Sequence, residues 1–238
     1  MFFNNHENKI SYCFRLHVDA AYAGSFALIP ELHQKYFCGI EKVDSYDMNP
    51  HKGLLTGWDC SALFVKESRW VQKALALTPE YLKGESSNLE AREDSQKMAV
   101  PQYKDWEVPL GTHFRALKLW FVLRLYGADK LREFQRHRLM LQDLVVNCLA
   151  RDDRFEFVPG APPRFGLVCF RVVNASESQH AAILQAINDS GRVFMVHTKL
   201  SGKYVLRFAV GGTYSQPGHV LEAWSVIQDA VQRVLGKN

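Results

Sequence analysis

The chain has 238 residues, of which 47% are hydrophobic and 23% are charged, and its formal net charge is +4. This length and composition are ordinary for a soluble globular protein with a substantial buried core. Basic residues are spread along the chain and mixed with acidic ones, so no basic stripe indicates a nucleic-acid partner.

The cysteines and the apolar segments exclude further classes. The five cysteines are scattered, odd in number and without CxxC spacing, so neither a metal site nor a disulfide framework is expected. They are Cys13, Cys38, Cys60, Cys148 and Cys169. No apolar run approaches the roughly 18 residues that span a bilayer, and residues 1–9 lack the apolar core of a signal peptide. We therefore expect a cytoplasmic protein with no membrane partner.

The first third of the chain alternates strand-like and helix-like segments. An apolar stretch over 13–18 ends at Asp19 and is followed by small residues, which indicates a buried strand and then a turn. A helix is predicted within 28–42, and strands are predicted over 43–48 and 62–65. This alternation predicts an α/β structure with a mostly parallel sheet.

The middle of the chain begins with a polar segment and continues with two helices. Residues 83–102 have little apolar periodicity, so a mobile surface loop is predicted. Residues 114–126 predict an apolar helix that is buried on most sides and ends at Gly127. Residues 129–149 predict an amphipathic helix. Its apolar stripe consists of Leu131, Phe134, Leu141, Leu144 and Val145.

The last third of the chain predicts a smaller α+β unit. Strands are predicted over 155–158, 167–172, 193–198 and 204–210, and helices over 178–190 and 219–235.

Asp19 and Lys52 are the strongest candidates for a chemical pair. Each follows a predicted strand, so both are expected beyond the carboxyl ends of the strands, where ligands bind in such sheets. A carboxylate can hold the proton on a pyridine nitrogen, and a lysine amine can bind a cofactor aldehyde covalently. Spacing alone is a weak signal, because an acid at a strand end and a lysine after a strand are both common.

Three short motifs add to this signal. They are HVDAAYAG at 17–24, MNPHK at 48–52 and DCSA at 59–62. In order and approximate spacing they resemble group II pyridoxal-phosphate (PLP) dependent decarboxylases of the aromatic L-amino acid type. The resemblance continues through YKDW at 103–106 to LRFA at 206–209, and it covers about residues 16–235.

The resemblance implies an α/β, type I PLP-dependent transferase fold. Residues 1–117 would form the C-terminal part of the large PLP-binding domain, with a mobile loop at about 81–102, and residues 118–238 the small C-terminal α+β domain. The implied cofactor is PLP, and the implied substrate is an aromatic L-amino acid such as tryptophan, tyrosine or DOPA. The implied reaction is decarboxylation to the amine by a homodimeric enzyme.

The same resemblance assigns roles around the cofactor. Asp19 would pair with the ring nitrogen, Ala21 would pack against the ring, and Lys52 would bind the cofactor covalently. Asn49 and His51 would lie on the phosphate side. Turn formation and helix capping around the intervening proline are the alternative roles of Asn49 and His51.

Two further residues bear on the reaction and the substrate. Tyr81 resembles the tyrosine at the start of the family's mobile catalytic loop, which would deliver a proton to the substrate Cα. Relatives with phenylalanine there look like aldehyde synthases, so tyrosine favours decarboxylation. Gly111 would leave room for a large substrate ring. A packed loop tyrosine and a plain turn glycine are the alternative readings.

The chain also departs from the family pattern. It begins just before the aspartate segment, so the family's first half, with its phosphate-cradling loop, is expected to be missing. Gly53 stands where relatives usually have a bulky aromatic, and Thr112 and His113 replace an Arg-Arg pair. The missing half leaves open a non-catalytic fragment or dimer partner of a full-length relative. Among enzymes, an aromatic aldehyde synthase and a decarboxylase for another amino acid also remain as alternatives.

Overall fold

The computed structural model describes residues 15–76 and 103–236. Its first sheet has the strand order β1-β2-β3, with β1 at His17–Asp19, β2 at Ser45–Met48 and β3 at Ala62–Val65. β1 and β2 are parallel, whereas β2 and β3 are antiparallel.

The direction of β3 corrects the expectation of a mostly parallel sheet. The chain between β1 and β2 contains helix α1 (Pro30–Tyr36), which makes the crossover that parallel strands require. Between β2 and β3 the longest element is the four-residue helix α2 (Pro50–Gly53). That connection contains no helix long enough to cross back over the sheet, and β3 returns antiparallel. An additional helix, α3 (Ser68–Leu75), follows β3 and was not expected from the sequence.

Helix α4 (Arg115–Ala150) connects the two sheets along the chain and has a break at Gly127. Gly127 has φ 65° and ψ 177°, a conformation that glycine adopts readily, so the predicted end of the apolar helix is confirmed. Beyond the break, the predicted stripe faces inward, with Leu131, Leu141 and Val145 buried.

The expectation that 114–126 is buried on most sides is wrong within the described residues. Val122 is buried there, but most of the large apolar side chains are exposed. They are Phe114, Leu117, Trp120, Phe121, Leu123, Leu125 and Tyr126. Apolar composition predicts burial only where another element packs against the helix, and the described part of the chain does not cover this surface.

The second sheet is antiparallel, with the order β4-β5-β7-β6. Its strands are β4 (Phe155–Phe157), β5 (Leu167–Val172), β6 (Val196–Leu200) and β7 (Lys203–Ala209). Helices α5 (Glu177–Asp189) and α6 (Pro217–Leu235) and the second part of α4 pack with it around the main hydrophobic core. The predicted α+β unit is therefore observed, with β6 three residues later than expected.

α5 begins with a capping box. The Ser176 hydroxyl accepts a hydrogen bond from Gln179 N, and the Gln179 side chain accepts one from Ser176 N. These bonds satisfy two backbone donors at the helix start.

Other expectations concern individual residues and segments. The cysteines at 38, 60, 148 and 169 are free. In the described ranges, no helix is long and apolar enough to cross a membrane. The predicted loop at 83–102 lies outside the described residues. The proposed domain division at 117/118 falls near the beginning of α4.

Candidate cofactor and substrate site

Asp19 and Lys52 follow neighbouring parallel strands. Asp19 ends β1 and pairs in register with Asp47 of β2, while Lys52 lies in α2 just after β2. Hydrogen bonds join the two turns: Ala20 N donates to Asp47 O (3.1 Å), and Asn49 N donates to Ala21 O (3.3 Å). The sequence-predicted residues Asp19, Ala21, Asn49, His51 and Lys52 are thus gathered at one edge of the sheet.

The Asp19 side chain is exposed and bonds to its own turn. Its Oδ1 accepts a hydrogen bond from Ala21 N at 3.0 Å. Aspartate favours such turns because its short side chain can replace a backbone acceptor. Across the described residues, Oδ2 makes no hydrogen bond, so one oxygen remains open to an external donor.

Asn49 immediately precedes α2 and is held by Ser61, the residue before β3. Its Oδ1 accepts a hydrogen bond from the Ser61 hydroxyl at 2.6 Å. This bond directs the amide nitrogen away from Ser61, and that nitrogen has no acceptor within the described part of the chain. An amide N–H₂ is a donor that can bind an anion.

His51 is anchored through one ring nitrogen. Its Nδ1 lies 2.7 Å from Cys60 O and 3.1 Å from Cys60 N. Each neutral tautomer satisfies one of these partners, and Nε2 carries the proton when Cys60 N donates to Nδ1. Nε2 is buried and has no hydrogen-bond partner among residues 15–76 and 103–236. A buried polar atom without a partner is unusual in folded proteins, and a bound anion or water is one way to satisfy it.

Lys52 is exposed on the short helix α2, whose backbone is closely packed. Lys52 N donates to Asn49 O (2.9 Å), and Leu54 N donates to Pro50 O (2.7 Å). The next residue, Gly53, is buried: a Cβ there would lie 1.9 Å from Ser25 Oγ. The Lys52 side chain is therefore exposed, whereas the backbone that carries it is held by hydrogen bonds and by close packing against Ser25.

A groove of about 1070 Å³ runs along one face of the first sheet. Alternation along β1 and the register with β2 put Asp19, His17 and Asp47 on the same face, and His17 and Asp47 line the groove. Gly111 lines it too, with space around its Cα, since a Cβ there would meet no atom within 4 Å. Gly111 therefore borders open space at this part of the groove.

Ion pairs and hydrogen bonds organise the groove wall. His17 Nδ1 bonds to the Ser45 hydroxyl at 2.8 Å, and its Nε2 lies 3.5 Å from Asp47 Oδ1. Opposite, Arg115 bonds to Asp59, which lowers the pKa of the Asp59 carboxyl and raises the pKa of Arg115. The departures from the family pattern, Thr112 and His113, also line this wall.

Behind the Asp19 turn lies a buried polar cluster. Arg138 is 1% exposed, and its Nε donates to Val210 O at 3.0 Å. Burial raises the pKa of Tyr22, and the charges of Arg138 and Arg207 partly offset that rise. Burial likewise lowers the pKa of Arg138.

The sequence analysis assigned no role to two residues that the structure places at the site. Ser61 lies within the DCSA motif but had no assigned role, and its bond to Asn49 is visible only in the fold. Gln135 carries no sequence signal, because a lone polar residue on an amphipathic helix is usually solvated. Tyr81 lies outside the described residues. Within the described ranges, no cluster of metal-ligating side chains is present.

Comparisons with known proteins agree on one family. Residues 6–173 match the family described as the pyridoxal-dependent decarboxylase conserved domain. The chain is 42% identical over 227 residues to tryptophan decarboxylase 2 of Oryza sativa subsp. japonica. It is 44% identical over 227 residues to phenylacetaldehyde synthase of Arabidopsis thaliana. Each alignment covers 93% of this chain and 44% of the relative.

Solved structures give the same result. Catharanthus roseus tryptophan decarboxylase, in complex with L-tryptophan, aligns with a TM-score of 0.80 and 38% identity, covering 92% of this chain and 45% of that one. The chain thus spans less than half the length of the relatives it matches. Its α/β architecture is that of part of a type I PLP-dependent enzyme. On the strength of the family match and these relatives, the chain belongs to the pyridoxal-dependent decarboxylase family.

Proposed function

We propose that this chain carries the cofactor-binding lysine and part of the active site of a PLP-dependent aromatic L-amino acid decarboxylase. The observation that carries the proposal is the hydrogen-bonded contact between the turns that bear Asp19 and Lys52. A carboxylate and an amine at adjacent strand ends can engage two positions of one ring. The same proposal includes assembly as a homodimer, which the family resemblance implies, and a cytoplasmic location, which the composition of the chain predicts.

The donor and acceptor set supports PLP as the cofactor. Asp19 offers a carboxylate oxygen to a protonated ring nitrogen, and Lys52 offers an exposed amine. Asn49 and His51 offer an amide N–H₂ and the buried Nε2, both of which can donate to phosphate oxygens. The buried, unsatisfied His51 nitrogen is the most specific point of fit, since an anion would remove the cost of leaving it without a partner.

Each residue then has a defined task. The bound cofactor supplies an electron sink for the pair of electrons left when carbon dioxide departs. Asp19 keeps the ring nitrogen protonated, which makes that sink effective. Ala21, half-buried beside Asp19, has a side chain small enough to pack against a flat ring. Lys52 would hold the cofactor through its amine, and Tyr81 would supply a proton to the substrate Cα.

The substrate class is supported by the groove and by the relatives. The open space at Gly111 is consistent with room for an aromatic ring, and it does not distinguish a two-ring side chain from a phenol. Relatives carry the names tryptophan decarboxylase and tyrosine decarboxylase. We therefore propose tryptophan, tyrosine or DOPA as the substrate.

A second candidate is an aromatic aldehyde synthase, because two relatives are named phenylacetaldehyde synthase. Tyr81 favours the amine product, since a phenol can protonate Cα. An assay for amine, and for aldehyde with hydrogen peroxide, separates the two reactions. A non-catalytic fragment or dimer partner would give none of these products unless a full-length relative were added.

The first test is covalent attachment of PLP. The purified chain is incubated with PLP, reduced with borohydride and mapped for pyridoxyl-modified peptides. We expect modification at Lys52, and its loss in Lys52→Ala. Lys66→Ala is the matched control, because Lys66 is also exposed but follows β3 at the opposite edge of the sheet. Modification that is indifferent to Lys52→Ala would contradict the proposal.

A further inference from the structure

Gln135 is a fully buried glutamine of α4 that contacts the residue next to Lys52. It is 0% exposed, and its Nε2 donates to the backbone carbonyl of Gly53. Gly53 ends α2, and the last carbonyls of a helix have no partner within the helix. Because Gly53 is buried, water cannot supply the missing donor. Gln135 therefore provides the hydrogen bond that this carbonyl requires.

Arg138 determines which end of the Gln135 amide faces Gly53. Its Nη1 donates to Gln135 Oε1 at 3.1 Å. Since a guanidinium is only a donor, it holds the amide oxygen on its own side. The amide N–H₂ group must then face the Gly53 carbonyl.

Arg138 is itself fixed from the second sheet. Its Nε bonds to Val210 O, just after β7, and its guanidinium carbon lies 5.0 Å from the centre of the Phe26 ring. Across the described residues, Arg138 makes no ion pair. Because a buried charge is costly without good contacts, these hydrogen bonds and the ring contact are what stabilise its guanidinium. The sequence of contacts runs from Val210 through Arg138 and Gln135 to Gly53.

Gly53, the residue after Lys52, is closely packed against Ser25 as well as against Gln135. A Cβ on Gly53 would lie 2.7 Å from Ser25 Cβ and 3.2 Å from Gln135 Nε2. Ser25 and Gln135 thus occupy the space where a side chain at position 53 would lie. A shift of α2 that lengthens the contact with Gln135 would leave the Gly53 carbonyl without this donor.

We infer that Gln135, oriented by Arg138, is a positioning residue that holds the backbone of Lys52 in register with the Asp19 turn. The inference rests on the proposed function for its chemical meaning, because Lys52 matters only if it binds the cofactor. The mechanical part concerns the backbone at 52–54 and can be measured without PLP.

The test compares Gln135→Met and Gln135→Glu with Gln142→Met in the full chain. Gln142 is the matched control: it is a buried glutamine of the same helix that accepts from Gly166 N at 2.9 Å, away from Lys52. Gln135→Glu keeps an acceptor for Arg138 and so preserves folding, but it loses the donor to Gly53. Hydrogen exchange of amides 52–54 is measured without PLP, and the rate of borohydride-trapped attachment is measured with PLP.

We expect both Gln135 variants to exchange at 52–54 about tenfold faster and to attach PLP about tenfold more slowly, the factor that corresponds to one buried hydrogen bond. Gln142→Met should change neither. Equal effects of Gln142→Met, or unchanged exchange in both Gln135 variants, would overturn the inference. Faster exchange in a chain whose wild type attaches no PLP would support the positioning role and reject the proposed function. Normal attachment in the Gln135 variants would reject the positioning of Lys52 and leave the proposed function intact.

Discussion

Arg115 and Asp59 form an ion pair in which Nε and Nη2 of the guanidinium each lie 3.0 Å from the same carboxylate oxygen. Arg115 begins α4, and Asp59 lies in the loop after Lys52, so the pair ties these two regions together. Lys118, one turn further along α4, adds a 3.4 Å contact to Gly57 O. The same loop carries Cys60, the backbone partner of His51.

We expect Arg115→Gln to loosen this loop without unfolding the chain. The hydrogen bond from Arg115 lowers the pKa of Asp59, so its loss should raise that pKa toward the ordinary value of about 3.9. Carboxyl titration by NMR and hydrogen exchange at 57–60 measure the two effects. Arg136→Gln, which breaks a pair with Glu31 instead, is the control. Equal loop exchange in both variants would contradict this role.

His180 should make the stability of the second unit depend on pH. It is buried, its Nε2 accepts from Val172 N (3.0 Å), and its Nδ1 bonds to Ser176 O (2.8 Å). Burial lowers its pKa, so the unfolded chain binds a proton more readily than the folded one. The contribution of His180 to the free energy of unfolding is therefore complete above about pH 6.5. It is lost as the pH falls toward the lower pKa that His180 has in the folded chain.

Urea unfolding at several pH values tests this role of His180. We expect His180→Gln, which retains a donor and an acceptor, to reduce the loss of unfolding free energy below pH 6.5. An unchanged pH dependence in the variant would mean that other groups are responsible.

Gly53→Ala should destabilise the fold through a steric clash. The new Cβ would lie 1.9 Å from Ser25 Oγ, so Ser25 must move in a well-packed region. Overpacking of this kind costs about 1–3 kcal/mol. Adding Ser25→Gly removes both clashing atoms and should restore part of the free energy of unfolding. A double-mutant cycle measured by urea unfolding gives the coupling, and strictly additive losses would argue against the contact.

Asp152 should stabilise the second unit at neutral pH and lose that effect in acid. It accepts hydrogen bonds from Arg154 (2.7 Å) and from Gln228 of α6 (3.0 Å). The Arg154 bond holds the pKa of Asp152 well below its usual range. Because the pKa of Asp152 is lower in the folded chain, its contribution to the free energy of unfolding is fully present above about pH 3.9. That contribution disappears as the pH falls through the pKa of the folded chain.

We expect Asp152→Asn to lower the free energy of unfolding by on the order of 1 kcal/mol at pH 7, a figure reduced for partial solvent screening. The difference from wild type should shrink below pH 3.9. Asp153→Asn, at an exposed neighbour without a hydrogen bond in the described residues, should have little effect at either pH. A difference that persists in acid would show that packing, rather than charge, explains Asp152.

The sequence predicted that Asp19 and Lys52 lie near each other, because one ends a predicted strand, the other follows the next strand, and the carboxyl ends of parallel strands lie at the same side of a sheet. The strands at 62–65 and 167–172 were predicted with the observed bounds. Local patterns could not predict the antiparallel direction of β3, which depends on the length of the connection. They also could not predict the exposure of 114–126, because composition does not specify a packing partner.

The buried contact of Gln135 was beyond prediction for a different reason. Its partner carbonyl is 82 residues away in the chain, and no periodic pattern links the two positions. Similarly, the free nitrogen of His51 follows from its bond to Cys60, which requires the turn between α2 and β3 to close. The sequence therefore indicated which side chains carry chemical groups at the site. It could not indicate the hydrogen bonds that hold those side chains, because their partners are distant in the chain.

The break at Gly127 divides α4 into parts that should unfold as separate cooperative units. The part after the break lies against the main core, while the part before it has Val122 as its buried residue. A helix segment without tertiary packing is marginally stable in water. Amides at 115–126 should therefore open through small local fluctuations, whereas those at 131–149 should require global unfolding. The boundary between these two regimes should fall at Gly127.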